Sequence, residues 1–261
     1  MDYISILKEI SEEMYQAIWS AYERFQGKMP PKELGHKVDL ASAYAAKDYL
    51  AREHLKLMVV AEEGFDDYNG KEKPILVLDP IDGTSNFSRG IPFSSISLAL
   101  AEEDSLSHVF AGLVRDLFRD EIYWAIRGGG AYLNNIKIRV KPTRSTVDAH
   151  FSVNINRAFP GKYIGLNILP YIPYARHFGS AALEGCFVAS GKIDAYIDVR
   201  GALRVFDIAA AYLITKEAGG KAYVLQNGSK EVILTRVGGI AVIFAATSHL
   251  LERINDLLGY P

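Results

Sequence analysis

The N-terminal part of the chain carries the apolar spacing of an amphipathic helix. Apolar residues recur there at steps of three and four positions, which places them on one helix face. The pattern predicts a helix over residues 3–26, ended by a glycine and two prolines. Residues 32–37 are polar and predict a loop, after which Asp39 is placed to cap a second helix over about 40–55.

The middle of the chain is a series of short apolar runs, each of which predicts a strand. The predicted strands cover residues 57–61, 75–78, 96–101, 109–114 and 122–126. The second strand is expected to end at Pro80, because proline has no N–H for the ladder of a sheet. Gly128–Gly130 is not followed by a Lys-Ser/Thr pair or by a helix, so it predicts a hairpin connection rather than a phosphate loop.

Predicted strands and helices alternate in the second half of the chain. The strands are expected at 151–154, 162–166, 175–178, 195–199, 221–225 and 240–246, and the helices at 180–190, 205–218 and after Ser248. Composition shifts near residue 140 without a long flexible stretch, which marks a seam between subdomains better than a linker. We therefore expect a single domain over 1–261, with subdomains of about 1–140 and about 141–261 that meet at the functional site.

Charge and composition exclude several classes of protein. Lysine and arginine total 29 against 31 for aspartate and glutamate, so no global field favours nucleic acid or an anionic membrane. The longest apolar run, Ile240–Ala246, is far shorter than the roughly 20 residues that cross a bilayer. No basic and then apolar leader opens the chain, and Cys186 is its single cysteine, so we expect a cytoplasmic protein without disulfides.

Two carboxylates, Asp79 and Asp82, flank a predicted turn at the end of a buried strand. At about 4 Å and an effective dielectric of about 20 they would repel by roughly 4 kcal/mol, unless a cation lies between them or one acid keeps its proton. Carboxylate oxygens suit a hard cation, Mg²⁺ or Mn²⁺. A short helix can begin at Gly83 and Thr84, where free amide groups would hold an anion. This turn therefore predicts a metal and a phosphate bound side by side.

A third acid, Asp207, lies in the first turn of a predicted helix, where a capping role would also explain it. Three segments occur in order along the chain: Glu62-Glu63-Gly64, Asp79-Pro-Ile-Asp-Gly-Thr-Ser-Asn-Phe and Phe206-Asp207-Ile-Ala-Ala. Together with 179–182, 188–196 and 217–220, they closely resemble the inositol monophosphatase family. The resemblance implies an α+β fold, the αβαβα layered sandwich of the sugar phosphatases, and also Mg²⁺ dependence and commonly a homodimer.

The resemblance also implies a catalytic set and a ligand set. Glu63, Asp79 and the Ile81 carbonyl would hold one Mg²⁺, and Asp79, Asp82 and Asp207 would hold a second, with Asp79 as the bridge. Two such cations align water, phosphorus and leaving oxygen in phosphate-monoester hydrolysis.

Substrate contacts follow from the same resemblance. Amides from Gly83 to Ser85 would hold the phosphate, and the Thr84 hydroxyl would orient the attacking water. Ala181 is expected to contact the rest of the substrate.

The chain departs from the common family pattern at two positions. Ala45 stands where an aspartate that partners the threonine is usual. Either no such relay is needed, or Asp39 helps through another water or a third, weakly held metal. Arg200 replaces a glutamate that often binds inositol hydroxyls, and with Arg176 it suggests a second phosphate. This pattern resembles the archaeal-type subgroup that hydrolyses both fructose 1,6-bisphosphate, at its 1-phosphate, and inositol 1-phosphate.

Other readings of the same motifs lead to different functions. A haloacid-dehalogenase-type phosphatase is rejected because Pro80 occupies the place of its nucleophile. A phosphatase acting on 3′-phosphoadenosine 5′-phosphate or on NADP would share the metal site and differ only in its pocket. A regulatory protein that keeps the fold without turnover is the alternative from another class.

Overall fold

The structure is a computed structural model that describes residues 2–66, 68–143, 145–156 and 166–259. Its α-helices are α1 (Tyr3–Phe25), α2 (Pro31–Arg52), α3 (Thr84–Phe87), α4 (Ala181–Ala189), α5 (Val205–Glu217) and α6 (Ser248–Leu258). Its strands are β1 (Leu57–Ala61), β2 (Glu72–Asp82), β3 (Ser95–Ala101), β4 (Val109–Asp116), β5 (Ile122–Ile126), β6 (Gly130–Leu133), β7 (Ile136–Ile138), β8 (His150–Val153), β9 (Tyr174–Arg176), β10 (Ala195–Leu203), β11 (Lys221–Gln226) and β12 (Ile240–Ala245). Short 3₁₀ helices lie at Leu106–His108 and Leu166–Tyr171.

The strands form two sheets. The first contains β1 to β7 in chain order, with β1 parallel to β2 and antiparallel pairing from β2 onward. The second has the order β11-β12-β10-β8-β9 and mixes parallel and antiparallel pairs. The seam predicted near residue 140 falls between the last strand of one sheet and the first strand of the other.

The helices and sheets form five layers, whose buried residues group into three clusters. Apolar residues of α1 and α2 pack on one face of the first sheet, and α4 and α5 fill the space between the two sheets. Helix α6 covers the outer face of the second sheet. Leu76 and Leu78 of β2 lie in the cluster with α1 and α2, whereas Ile75 and Val77 lie in the cluster between the two sheets. Both faces of β2 are therefore buried, which is why its sequence is continuously apolar. The predicted αβαβα sandwich is confirmed.

Helix α2 begins earlier than predicted. Residues 32–37, expected to form a loop, lie inside the helix because Pro31 occupies its first position, where a missing N–H is harmless. Leu34 and Val38 are buried, while His36 and Lys37 between them are exposed. Asp39 is therefore an interior helical residue and not the predicted cap.

Strand β2 also continues further than predicted. It runs through Pro80 to Asp82, and its register with β3 shifts between Asp79 and Asp82. Proline is tolerated at such an irregularity because no ladder hydrogen bond is required of it. The strand predicted at 162–166 lies outside the described residues, except for Leu166, which begins a 3₁₀ helix. None of the described helices combines the length and apolar character that crossing a membrane requires.

Candidate metal and substrate site

Asp79, Asp82 and Asp207 form a buried acidic triad. One carboxylate oxygen from each lies within 4.8 Å of the others. The first two end β2, and Asp207 lies in the first turn of α5, which packs against that strand. All three side chains are buried, and Asp79 has no exposed surface. The structure thus brings together three predicted ligands from distant parts of the sequence.

Each triad carboxylate is held by its own donors. Asp82 Oδ2 accepts hydrogen bonds from Ser180 Oγ at 2.6 Å and from the Ala182 N–H at 2.7 Å. Asp207 Oδ2 accepts from the Arg204 N–H at 2.8 Å, so Asp207 caps α5 and the capping role does not conflict with metal binding. Asp79 Oδ1 accepts from the Ile81 N–H at 3.1 Å, whereas Oδ2 is buried and has no hydrogen-bond partner among the described residues.

The electrostatics of the triad favour a bound cation. Burial first and Asp207 second raise the pKa of Asp82 to about 7, against the hydrogen bonds from Ser180 and Ala182. Burial, followed by Asp207 and Asp82, raises the pKa of Asp79 well above its ordinary value. An orphaned buried oxygen among three clustered carboxylates fits a hard divalent cation, because the ion would supply both the missing partner and the missing charge. The triad can therefore bind a metal.

Two adjacent glutamates follow β1 and have different surroundings. Arg204 Nη1 donates to Glu62 Oε1, and Nη2 of the same guanidinium donates to Asp207 Oδ1 at 3.2 Å. After burial and the other two aspartates, Glu62 is the next group that raises the pKa of Asp79. Glu63 instead pairs with His36 Nδ1 at 3.0 Å and is not part of the described acidic cluster.

The structure therefore places Glu62 beside the triad and directs Glu63, the predicted ligand, toward α2. Sequence reasoning missed Glu62. The alternation of side chains at a strand end was the signal that could have separated the two neighbours.

The Thr84 hydroxyl has an acidic neighbour, Asp39, although Ala45 lacks a carboxyl group. Burial, then Glu62 and Glu63, raises the pKa of Asp39 to about 8, and a hydrogen bond with Thr84 lowers it. Asp39 Oδ1 is buried, and no described residue hydrogen-bonds to it. Thr84 Oγ1 also donates to the Ile81 carbonyl at 2.9 Å, the carbonyl predicted as a metal ligand.

Helix α2 brings Asp39 to this place by approaching α3 very closely. A Cβ added to Gly35 would lie 2.8 Å from Thr84 Cγ2, so only glycine fits there without movement.

The turn at Gly83 presents backbone amides to the site. Gly83 has φ +91°, and a Cβ there would lie 3.1 Å from the carbonyl oxygens of Gly179 and Phe93. The first hydrogen bond into α3 runs from the Asn86 N–H to the Gly83 carbonyl at 2.9 Å. The amides of Thr84 and Ser85 precede it and face no intrahelical acceptor, which makes them suitable for an anion.

A cavity of about 400 Å³ adjoins the triad. It is lined by Asp82, Asn154, Asn156, Gly179, Ala181, Glu184, Tyr196, Arg200, Ala202, Leu203, Arg204 and Asp207. The predicted substrate residue Ala181 is thus on its wall. The cavity has the size of a pocket for a small ligand.

The two predicted substrate arginines are placed differently. Arg200 lines the cavity, but its Nε and Nη2 donate to the buried Asp198 at 2.8 and 2.6 Å. Arg176 is exposed on β9, with Nη1 3.1 Å from His150 Nδ1, and is not among the described residues that line the cavity. The structure does not bring the two guanidinium groups to one point.

Comparison with known proteins gives matches along nearly the whole chain. The model of the Inositol monophosphatase family matches residues 4–258. The fructose-1,6-bisphosphatase/inositol-1-monophosphatase of Methanocaldococcus jannaschii is 33% identical over 257 residues, 97% of each chain. The bifunctional NADP phosphatase/NAD kinase of Methanococcus maripaludis is 32% identical over 246 residues, which cover 85% of this chain and 42% of that protein.

A solved structure extends the similarity to the whole fold. The crystal structure of inositol monophosphatase II from Staphylococcus aureus MSSA476 superposes with a TM-score of 0.81 at 25% identity, covering 99% of this chain and 94% of that one. The family and these relatives are named as phosphatases, enzymes that hydrolyse phosphate monoesters. The chain belongs to the inositol monophosphatase family.

Proposed function

We propose that the protein is a Mg²⁺-dependent phosphatase that hydrolyses fructose 1,6-bisphosphate at its 1-phosphate and also hydrolyses inositol 1-phosphate. The observation that carries this proposal is Asp79 Oδ2 within the buried triad, which has no hydrogen-bond partner among the described residues. The amides of Thr84 and Ser85, which precede the first hydrogen bond of α3, follow in the same turn. A metal and a phosphate find complementary partners there. The similarity to an archaeal relative named for both activities supports the two substrates.

The triad would hold Mg²⁺, with Glu62 the further carboxylate that acts on Asp79 and Asp39 a candidate for a more weakly bound ion. When bound, Mg²⁺ would supply Lewis-acid polarisation of the phosphate and a water molecule of lowered pKa. The amides of Thr84 and Ser85 would bind phosphate oxygens and keep the ester in line. Thr84, acting with Asp39, would orient the attacking water, so that Asp39 replaces the acid absent at Ala45.

The cavity beside the triad would hold the leaving group. Nε and Nη2 of Arg200 donate hydrogen bonds to Asp198. A second phosphate would therefore accept a hydrogen bond from Nη1, or would compete with Asp198 for Nε and Nη2. Replacing Arg200 with alanine should raise KM for the bisphosphate more than KM for inositol 1-phosphate. A homodimer stays a proposal that rests on the family resemblance.

A nucleotide phosphatase is the second candidate, favoured by the relative named as an NADP phosphatase. The test is release of inorganic phosphate from fructose 1,6-bisphosphate, inositol 1-phosphate, NADP and 3′-phosphoadenosine 5′-phosphate, each with Mg²⁺ and with EDTA. We expect Mg²⁺-dependent release from the first two, reduced to background by Asp82→Asn. Preferential release from a nucleotide would replace the proposed substrates, and release that Asp82→Asn leaves unchanged would refute the site.

A further inference from the structure

Two buried side chains on the cavity wall each carry a polar atom that has no partner within the part of the chain that the structure describes. Glu184 lies in the first turn of α4 and is 1% exposed. Its Oε1 accepts hydrogen bonds from Ser152 Oγ and from the Phe178 N–H at 3.1 Å, but Oε2 has none. Tyr196, on β10, is wholly buried, and its hydroxyl oxygen also lacks a partner. Such groups destabilise a fold unless something satisfies them, so their place on the cavity wall points to a ligand.

The hydrogen-bond pattern defines what that ligand must offer. Burial raises the pKa of Glu184 to about 8 against the hydrogen bonds from Ser152 and Phe178, so the carboxyl is protonated at neutral pH. Oε1 is then the carbonyl-like acceptor of two donors, and Oε2 carries the O–H. The Tyr196 hydroxyl can donate or accept. An alcohol can accept from one of these groups and donate to the other, whereas an aromatic ring can do neither.

The pair lies within reach of the triad. Ser180 and Ala182, in the same turn of α4 as Glu184, hold Asp82 in place. Asp82 and Asp207 of the triad line the same cavity as Glu184 and Tyr196. A leaving group of monosaccharide size, esterified to a phosphate at the triad, would therefore share the cavity with both side chains.

We propose that Glu184 and Tyr196 form a hydroxyl-binding subsite that selects polyol phosphates over other monoesters. They bind one alcohol group of the leaving group and decide which esters enter the cavity productively. The inference rests on the phosphatase function proposed above and adds the residues that set its leaving-group specificity.

The test compares kcat/KM for inositol 1-phosphate with kcat/KM for p-nitrophenyl phosphate, which has no alcohol group. Tyr196→Phe removes one oxygen and keeps the buried ring, so the ratio of the two constants should fall about tenfold, as for loss of one hydrogen bond. Glu184→Gln keeps an acceptor and a donor and should stay within about threefold of wild type, whereas Glu184→Met should follow Tyr196→Phe.

Tyr123→Phe is the matched control. Tyr123 is equally buried, but its hydroxyl donates to Glu121 at 2.8 Å and does not line the cavity. In Tyr123→Phe, the ratio of kcat/KM for inositol 1-phosphate to kcat/KM for p-nitrophenyl phosphate should equal that of wild type.

Calorimetric binding of inositol 1-phosphate gives a readout independent of turnover, with Kd expected to rise about tenfold in Tyr196→Phe. Unchanged ratio and Kd in Tyr196→Phe would overturn the subsite, and so would an equal loss on both esters. Absence of Mg²⁺-dependent hydrolysis by the wild type would instead count against the phosphatase function, while the binding comparison would still decide the subsite.

Discussion

Replacing Glu184 with glutamine should remove a pH dependence of stability that the wild-type fold carries. The pKa of this carboxyl is about 8 in the folded chain and near 4.5 when it is exposed, chiefly because of burial. The folded state therefore binds more protons between those pH values than the unfolded state does. Stability consequently falls as pH rises through the window and levels off above the folded pKa.

The size of the effect follows from the same two values. The interval from 4.5 to about 8, at about 1.4 kcal/mol per pH unit, corresponds to about 5 kcal/mol lost by pH 9. The acids that face Glu184, Asp82 from β2 and Asp198 from β10, act in the same direction as burial, while Ser152 and the Phe178 N–H oppose it. Glutamine has no proton to lose, and its side-chain carbonyl can accept the same two hydrogen bonds.

Urea denaturation followed by circular dichroism at pH 5 to 9, in EDTA, measures this difference. We expect Glu184→Gln to match wild type near pH 5 and to exceed its free energy of unfolding by several kcal/mol, about 5 at most, at pH 9. The control is Glu103→Gln, an exposed carboxylate whose pKa is lowered by Lys73 and which is ionised across the whole range. A constant difference between Glu184→Gln and wild type at all pH values would refute the reasoning.

Two further substitutions test the metal site and the turn. Glu62→Gln should weaken Mg²⁺ binding by about tenfold or more in calorimetry. Glu63→Gln, which disturbs only the pair with His36, should keep the Mg²⁺ affinity within about threefold of wild type. The reverse order of the two affinities would restore Glu63 as the ligand. Gly83→Ala should lower stability by about 1–3 kcal/mol more than Gly90→Ala in thermal denaturation, because both positions have positive φ but only Gly83 has atoms 3.1 Å from an added Cβ. Equal losses would show that the crowding at Gly83 is relieved by small shifts.

The sequence predicts the layers of this fold better than the ends of its elements. Strand β2 is continuously apolar because both of its faces are buried, and α1 has a helical period because one of its faces is buried. Each pattern can be read within the element itself. The start of α2 is not local, because its polar first turns are held by Leu34 and Val38 packing on the sheet. Likewise Pro80 is tolerated within β2 only because the register shifts there.

The triad was predictable as a set of motifs, but the pairing of its neighbours was not. Glu62 and Glu63 are the same residue type at adjacent positions, and they differ only in the direction in which each side chain points after β1. Arg200 is paired with Asp198, which lies two residues away on β10 and therefore on the same face of the strand. Strand alternation is the local signal that bears on the partners of Glu62, Glu63 and Arg200.

The charge balance around the triad explains why this arrangement is suited to a divalent cation. Arg204 is bonded to both Glu62 and Asp207, but one guanidinium cannot neutralise these two carboxylates together with Asp79 and Asp82. The excess negative charge, deep in the fold, is what raises the pKa values of Asp79 and Asp82 beyond the effect of burial itself. Without a metal the fold must keep protons on these acids, whereas a divalent cation removes the repulsion and satisfies the orphaned Asp79 oxygen. The burial that makes the triad unfavourable for the polypeptide alone is therefore the property that suits it to a metal ion.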